Sequence, residues 1–162
     1  MEFKVSNMIN YISKGNIFKI RGVCNYGHGC NCAGAMGKGI ALEFKSKFSK
    51  MYNAYKKLCL EGKFLPGDVF LYKYSDGYVF NLGTQKTWRT KATLSAIEKS
   101  FNTLFELASK NNIDKIAIPR IGAGLGGLNW DEVKQIIEKT AKKYNSIDLY
   151  VVEEFEDIET VI

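Results

Sequence analysis

Two glycine-rich segments hold most of the chemistry this chain can offer. One reads Asn31-Cys32-Ala33-Gly34-Ala35-Met36-Gly37-Lys38-Gly39-Ile40-Ala41, the other Pro119-Arg120-Ile121-Gly122-Ala123-Gly124-Leu125-Gly126-Gly127-Leu128. Glycine lets backbone N–H groups come close to a ligand and tolerates positive φ, and a helix starting just beyond adds a favourable dipole. Each segment is therefore suited to cradle a phosphate. Two such loops, each leaving a strand and leading into a helix, predict a diphosphate held between them at the carboxyl ends of strands.

Other motifs fall away on spacing. Gly122-x-Gly124-x-x-Gly127 formally matches a dinucleotide fingerprint with Asp148 about twenty residues on, but that fingerprint opens a longer nucleotide-binding sheet and only 35 residues follow Gly127. Neither loop carries the Lys-Ser/Thr ending of a P-loop. His28-x-Cys30-x-Cys32 matches no common zinc spacing and lacks a fourth ligand, so no metal is expected. With Cys24 and Cys59 these cysteines read as reduced small residues.

The elements that position the loops follow from periodicity. Apolar runs at Ile9–Ser13, Val23–Cys30, Val69–Tyr74, Tyr78–Leu82, Lys115–Pro119 and Asp148–Glu153 predict strands. Ile40, Phe44 and Phe48 share one helical face. Leu94, Ile97, Phe101, Leu104, Phe105 and Ala108 share another, with Thr90 or Thr93 as cap, and Val133, Ile136, Ile137 and Tyr144 follow the capping pattern Asn129-x-x-Glu132. Helices between strands predict an α/β sandwich with a largely buried sheet. The turn Tyr74-Ser75-Asp76-Gly77-Tyr78 predicts a hairpin, hence a mixed sheet.

At 162 residues, 46% of them hydrophobic, the chain fits one domain over 1–162. No apolar run approaches the roughly 18 residues of a membrane span, and the start MEFKVSNMIN lacks a signal pattern, so a cytoplasmic location without membrane contact is expected. The net charge of +6 is uneven. Residues 1–60 carry ten Lys/Arg against two acids, while residues 151–162 carry five acids and no base. A basic front suits an anionic partner, either a phosphate-bearing small molecule or nucleic acid. The acidic tail Glu153–Asp157 either closes over a ligand through Phe155 or ends as a solvated segment.

Three blocks together resemble a macrodomain: His28 to Ala41, Asn81-Leu82-Gly83-Thr84-Gln85-Lys86-Thr87-Trp88-Arg89, and Pro119 to Trp130. The resemblance is nearest to the branch holding DNA ADP-ribosyl glycohydrolase antitoxins, the terminal ADP-ribose protein glycohydrolase and the ADP-ribose 1''-phosphate phosphatase. It implies a three-layer α/β/α sandwich with a mixed sheet that binds ADP-ribose or ADP-ribose 1''-phosphate in a surface cleft, with ADP-ribosylated nucleic acid or protein as further partners and no cofactor; a monomer is expected. Carried over, it places Asn31 beside the distal ribose, with Ala33, Gly34, Met36, Gly37, Lys38 and Gly39 over that ribose and the diphosphate. Thr84 and Gln85 flank them, Ile121, Gly122, Ala123, Gly124, Leu125, Gly126 and Gly127 form the second diphosphate loop, and Phe155 joins the ligand-binding set.

Three family positions depart from the pattern, one of them the acid that commonly reads the adenine amino group, which has no counterpart near Ile20 and Arg21. The catalytic lysine of such glycohydrolases falls at Gln85, and the catalytic aspartate of the terminal glycohydrolase at Gly126. His28, in the His-x-Cys-Asn pattern of the phosphatase-like relatives, is left as the general acid or base, with Asn31 as its catalytic companion. The resemblance thus implies first a 1''-phosphate phosphatase, with an ADP-ribosyl glycohydrolase and a non-catalytic ADP-ribose reader as alternatives. Trp88, Arg89 and Lys91 form either a nucleobase-stacking segment or packing at a helix entrance.

Overall fold

The computed structural model describes residues 8–144 and 146–160, so residues 1–7, with most of the start MEFKVSNMIN, and residues 161–162 of the expected domain lie outside the described residues. Among these, the strands are β1 (Met8–Gly15), β2 (Tyr26–Asn31), β3 (Val69–Lys73), β4 (Tyr78–Gln85), β5 (Lys115–Pro119) and β6 (Asp148–Phe155). They form one sheet in the order β1-β6-β5-β2-β4-β3. All neighbours are parallel except β3 and β4, whose antiparallel pairing follows from the Tyr74–Tyr78 turn, closed by the Tyr74 amide donating to the Gly77 carbonyl at 2.9 Å.

Strand side chains alternate between faces, and the core divides accordingly. Phe80, Leu82, Ile116, Ile118, Leu149 and Val151 pack against α3 (Leu94–Lys110) and α4 (Trp130–Ala141). Their neighbours Val79, Ala117, Tyr150 and Val152 pack on the other side with α1 (Ile40–Lys47), α2 (Ser49–Leu60) and a short 3-10 turn at Ile17–Lys19. The result is the expected three-layer sandwich with a mixed sheet.

Local chemistry sets most helix ends. Thr93 caps α3 by accepting from the Ala96 amide at 3.2 Å, and Asn129 caps α4 by accepting from the Glu132 amide at 3.1 Å. The stretch after Gly39 is two helices, because Phe48 leaves helical geometry at φ −127°, ψ 63°. Its ring packs at 5.0 Å from Tyr74 and 6.2 Å from Phe44, a tertiary cause that helical periodicity does not reveal. No helix of the described residues is long and apolar enough to cross a membrane.

Candidate functional site

The sheet opens where the glycine loops leave it. β2 pairs with β4 from Tyr26 to Asn31 but with β5 only at Tyr26 and Ala117. Beyond that point the chain leaves β2 towards α1 on one face, and leaves β5 towards α4 on the other. Such a switch point is where an open α/β sheet forms a crevice at its carboxyl edge.

Asn31 shapes the first loop. Its Oδ1 accepts from the amides of Ala33 (3.0 Å) and Ala35 (3.3 Å), and its Nδ2 donates to the Ala35 carbonyl at 2.8 Å. Buried Tyr55, in α2, places its hydroxyl 2.6 Å from the Asn31 carbonyl and 3.0 Å from Oδ1. Burial pushes the Tyr55 phenol well above its ordinary range, so it stays a donor. Beyond this clamp, the amides of Gly37, Lys38, Gly39, Ile40 and Ala41 find no protein acceptor among the described residues, and α1 has no side-chain cap. Gly39 holds φ 63°, a conformation that only glycine adopts without strain. These amides and the helix dipole make an anion site.

The second loop folds on itself. Leu128 donates to the Gly122 carbonyl at 2.9 Å and Gly127 to the Gly124 carbonyl at 3.2 Å. The amides of Gly122, Gly124, Leu125 and Gly126 are left without a protein acceptor among the described residues. The dipole expected of α4 is already answered by the Asn129 cap and by Asp131 and Glu132 in its first turn, so this loop attracts anions through its own amides. Leu125, 71% exposed, reaches over the crevice, its Cδ1 3.7 Å from where a Cβ on Gly39 would stand.

A third loop, 86–93, joins them. Gln85 is buried, and its Nε2 donates to the carbonyls of Thr87 (2.9 Å) and Thr90 (2.8 Å). The Ala92 amide donates to the Gly126 carbonyl at 3.0 Å, and the stem of Lys91 lies along Gly127. Trp88 is 60% exposed, with the Arg89 guanidinium 5.9 Å from its ring centre.

Several expectations need correcting. Met36, Thr84, Gln85 and Ile121 are buried, so their side chains pack within the supports of the loops rather than standing free in the crevice. Thr84 donates to the Cys30 carbonyl at 3.2 Å, and Ile121 Cγ2 lies 3.1 Å from where a Cβ on Gly29 would stand. Asn31 spends its side-chain oxygen on its own loop. His28 is fully buried, stacked on Phe44 with ring centres 3.8 Å apart, and its Nε2 donates to Asn81 Oδ1 at 2.7 Å. Asn81 presents that oxygen because its amide nitrogen donates to the Phe70 carbonyl at 3.1 Å. Burial lowers the His28 pKa to about 4, the Asn81 bond opposing only in part. A neutral ring sealed in the core has no route to a substrate, so the acid or base expected at His28 is not available in this geometry. Phe155 ends β6 opposite Gly15 and is 42% exposed, while the tail turns back, its Asp157 meeting Lys19 at 2.7 Å and Asn16 at 3.0 Å. The sequence does not mark Tyr55 as a site residue, because Met51 and Tyr55, four apart, carry the ordinary pattern of a core-facing helix.

The family profile described as Macro domain matches residues 28–137. The DNA ADP-ribosyl glycohydrolase of Thermus aquaticus is 36% identical over 131 residues, covering 78% of this chain and 36% of that protein, so the chain spans about a third of its length. Human ADP-ribose glycohydrolase OARD1 is 31% identical over 134 residues, covering 81% of this chain and 82% of that protein. The solved macrodomain of Mycobacterium tuberculosis DarG superposes with a TM-score of 0.84 at 32% identity, covering 91% of this chain and 99% of that one.

Proposed function

The chain belongs to the macro domain family, and from that premise we propose that it is a hydrolase releasing ADP-ribose from a base of single-stranded nucleic acid. The observation that carries this reading is the order of groups along the carboxyl edge: Phe155 at the end of β6, the 120–128 loop after β5, the Asn31 loop at the end of β2, and Trp88 after β4. Three strand spacings span about 14 Å, enough to lay out adenosine, diphosphate and distal ribose in sequence. The unsatisfied amides of both glycine loops then meet the diphosphate, and Trp88 lies just beyond the ribose.

An exposed indole with a guanidinium beside it suits a flat leaving group that gains negative charge as it departs. Water attacks C1'' of the distal ribose, the bond from C1'' to the base breaks, and its electron pair leaves with the base, which takes the proton from water. Arg89 stabilises the departing base, and the two loops fix the ribose for attack. Gln85 and Gly126 supply neither a nucleophile nor an acid, so rate acceleration comes from orientation and charge. The phosphatase expectation rested on His28, and burial withdraws that support.

The test is product analysis by mass spectrometry of an oligonucleotide ADP-ribosylated on a base. Free ADP-ribose and unmodified oligonucleotide are expected. An oligonucleotide still carrying its ADP-ribose after prolonged incubation contradicts the proposal.

A further inference from the structure

A second concavity lies at the opposite edge of the sheet. It has a volume of about 520 Å³ and is lined by Phe18, Lys47, Phe48, Lys50, Tyr72 and Tyr74 among others. Tyr26, which opens β2, also borders it, whereas Asn31, which closes β2, borders the crevice, so the two sites are separated by the length of that strand, about 17 Å. Nothing in the proposed hydrolysis uses this groove.

Its floor is aromatic and its rim basic. Phe18, Phe48, Tyr72 and Tyr74 are each half-buried, so part of each ring faces the groove. Phe48 meets Tyr74 at 5.0 Å and 60° and Phe18 at 6.4 Å and 52°, a tilted cluster with no two rings stacked face to face. The hydroxyls of Tyr26 and Tyr74 donate to the carbonyls of Val23 (3.1 Å) and Cys24 (2.5 Å), so both phenols are already engaged within the protein. Lys47 Nζ lies 4.9 Å from the Phe18 ring centre, and neither Lys47 nor Lys50 takes part in any ion pair of the described residues. Across α1 and α2 five lysines face the single acid Glu43. The opposing charges near the groove are Asp157, which is paired with Lys19 and also feels Lys47, and Asp76 on the hairpin beside Ser75, which adds to the burial that holds the Tyr74 phenol above its ordinary range.

We propose that this groove binds single-stranded nucleic acid, with a base against the Phe48–Tyr74 floor and backbone phosphates on Lys47 and Lys50. Aromatic rings interleaved with unpaired cations are the chemistry that holds a flexible polyanion without reading its sequence. Binding here is independent of what the crevice hydrolyses.

The experiment follows the fluorescence anisotropy of labelled oligodeoxythymidylate and oligouridylate of about 16 nucleotides over a salt series. Lys47→Ala/Lys50→Ala is expected to weaken binding at least tenfold and to flatten the slope of log K against log salt by about 1.4, the loss of two single-strand phosphate contacts. Asp76→Asn is expected to tighten binding. ADP-ribose titrated into the same variants should bind as it does to the parent protein, which separates failure of the groove from failure of the crevice. Oligonucleotide affinity and salt slope unchanged in the double variant overturn the proposal, as does the absence of binding at low salt. A loss seen instead with Trp88→Ala and not with the lysine variants assigns the strand to the other edge and overturns it too.

Discussion

The hydroxyl of Tyr55 lies 2.6 Å from the carbonyl of Asn31 and 3.0 Å from its side-chain oxygen, so α2 grips the residue where β2 ends and the first glycine loop begins. The loop that presents its free amides to a ligand is thereby fixed before any ligand arrives.

Removing that grip should loosen the site before the fold. Tyr55→Phe deletes one buried donor, at a cost of about 1–3 kcal/mol. ADP-ribose affinity by calorimetry is expected to fall about tenfold, while the variant still melts cooperatively. Unchanged affinity would mean that the loop holds its shape without Tyr55.

Two glycines of the second loop should part company. A Cβ on Gly126 would stand 2.6 Å from the Gly122 carbonyl oxygen and 3.0 Å from Ala92 Cβ, whereas one on Gly124 meets nothing within 4 Å. Gly126→Ala is expected to lower the melting temperature. Gly124→Ala should melt like the parent yet bind ADP-ribose more weakly, because its methyl would stand where the diphosphate approaches. Equal behaviour of the two variants would contradict the loop geometry.

His28 sets an acid limit on stability rather than a pH optimum for turnover. Its folded pKa near 4 lies below the unfolded value of 6.5, so between these values the unfolded chain binds the extra proton. The stabilisation is complete above about pH 6.5 and is lost as pH falls towards 4, about 3 kcal/mol in all. Urea unfolding followed across this window should show the decline, and His28→Asn should flatten it. A turnover profile with an inflection near pH 6.5 that vanishes in His28→Asn would return His28 to the chemistry.

Much of this arrangement was legible in the sequence, for physical reasons. The six strands alternate or run apolar where they are buried, and Thr93 and Asn129 cap helices as their types and spacing predict. The two glycine loops announce backbone chemistry that needs no side chain. What stayed hidden depends on three-dimensional partners. Phe48 breaks a helix without glycine or proline, because its ring is recruited by Tyr74 and Phe18. A lone histidine reads the same whether it faces solvent or stacks on Phe44. Gln85 reads as a vacant lysine position, and only the fold reveals that it ties the Thr87 and Thr90 carbonyls and so holds the turn that exposes Trp88.

That turn yields a kinetic prediction. Trp88→Ala should lower kcat/KM on an ADP-ribosylated oligonucleotide by about 5- to 150-fold, the worth of one stacked base, and leave the affinity for free ADP-ribose unchanged. An equal loss in both measurements would mean that Trp88 supports the crevice rather than the leaving base.

The most direct test places a base-ADP-ribosylated oligonucleotide and ADP-ribose 1''-phosphate in one tube with the protein and follows the phosphorus NMR spectrum. Release of ADP-ribose from the oligonucleotide without inorganic phosphate is the predicted result. Inorganic phosphate with the oligonucleotide intact, or both compounds bound and unchanged, would contradict it.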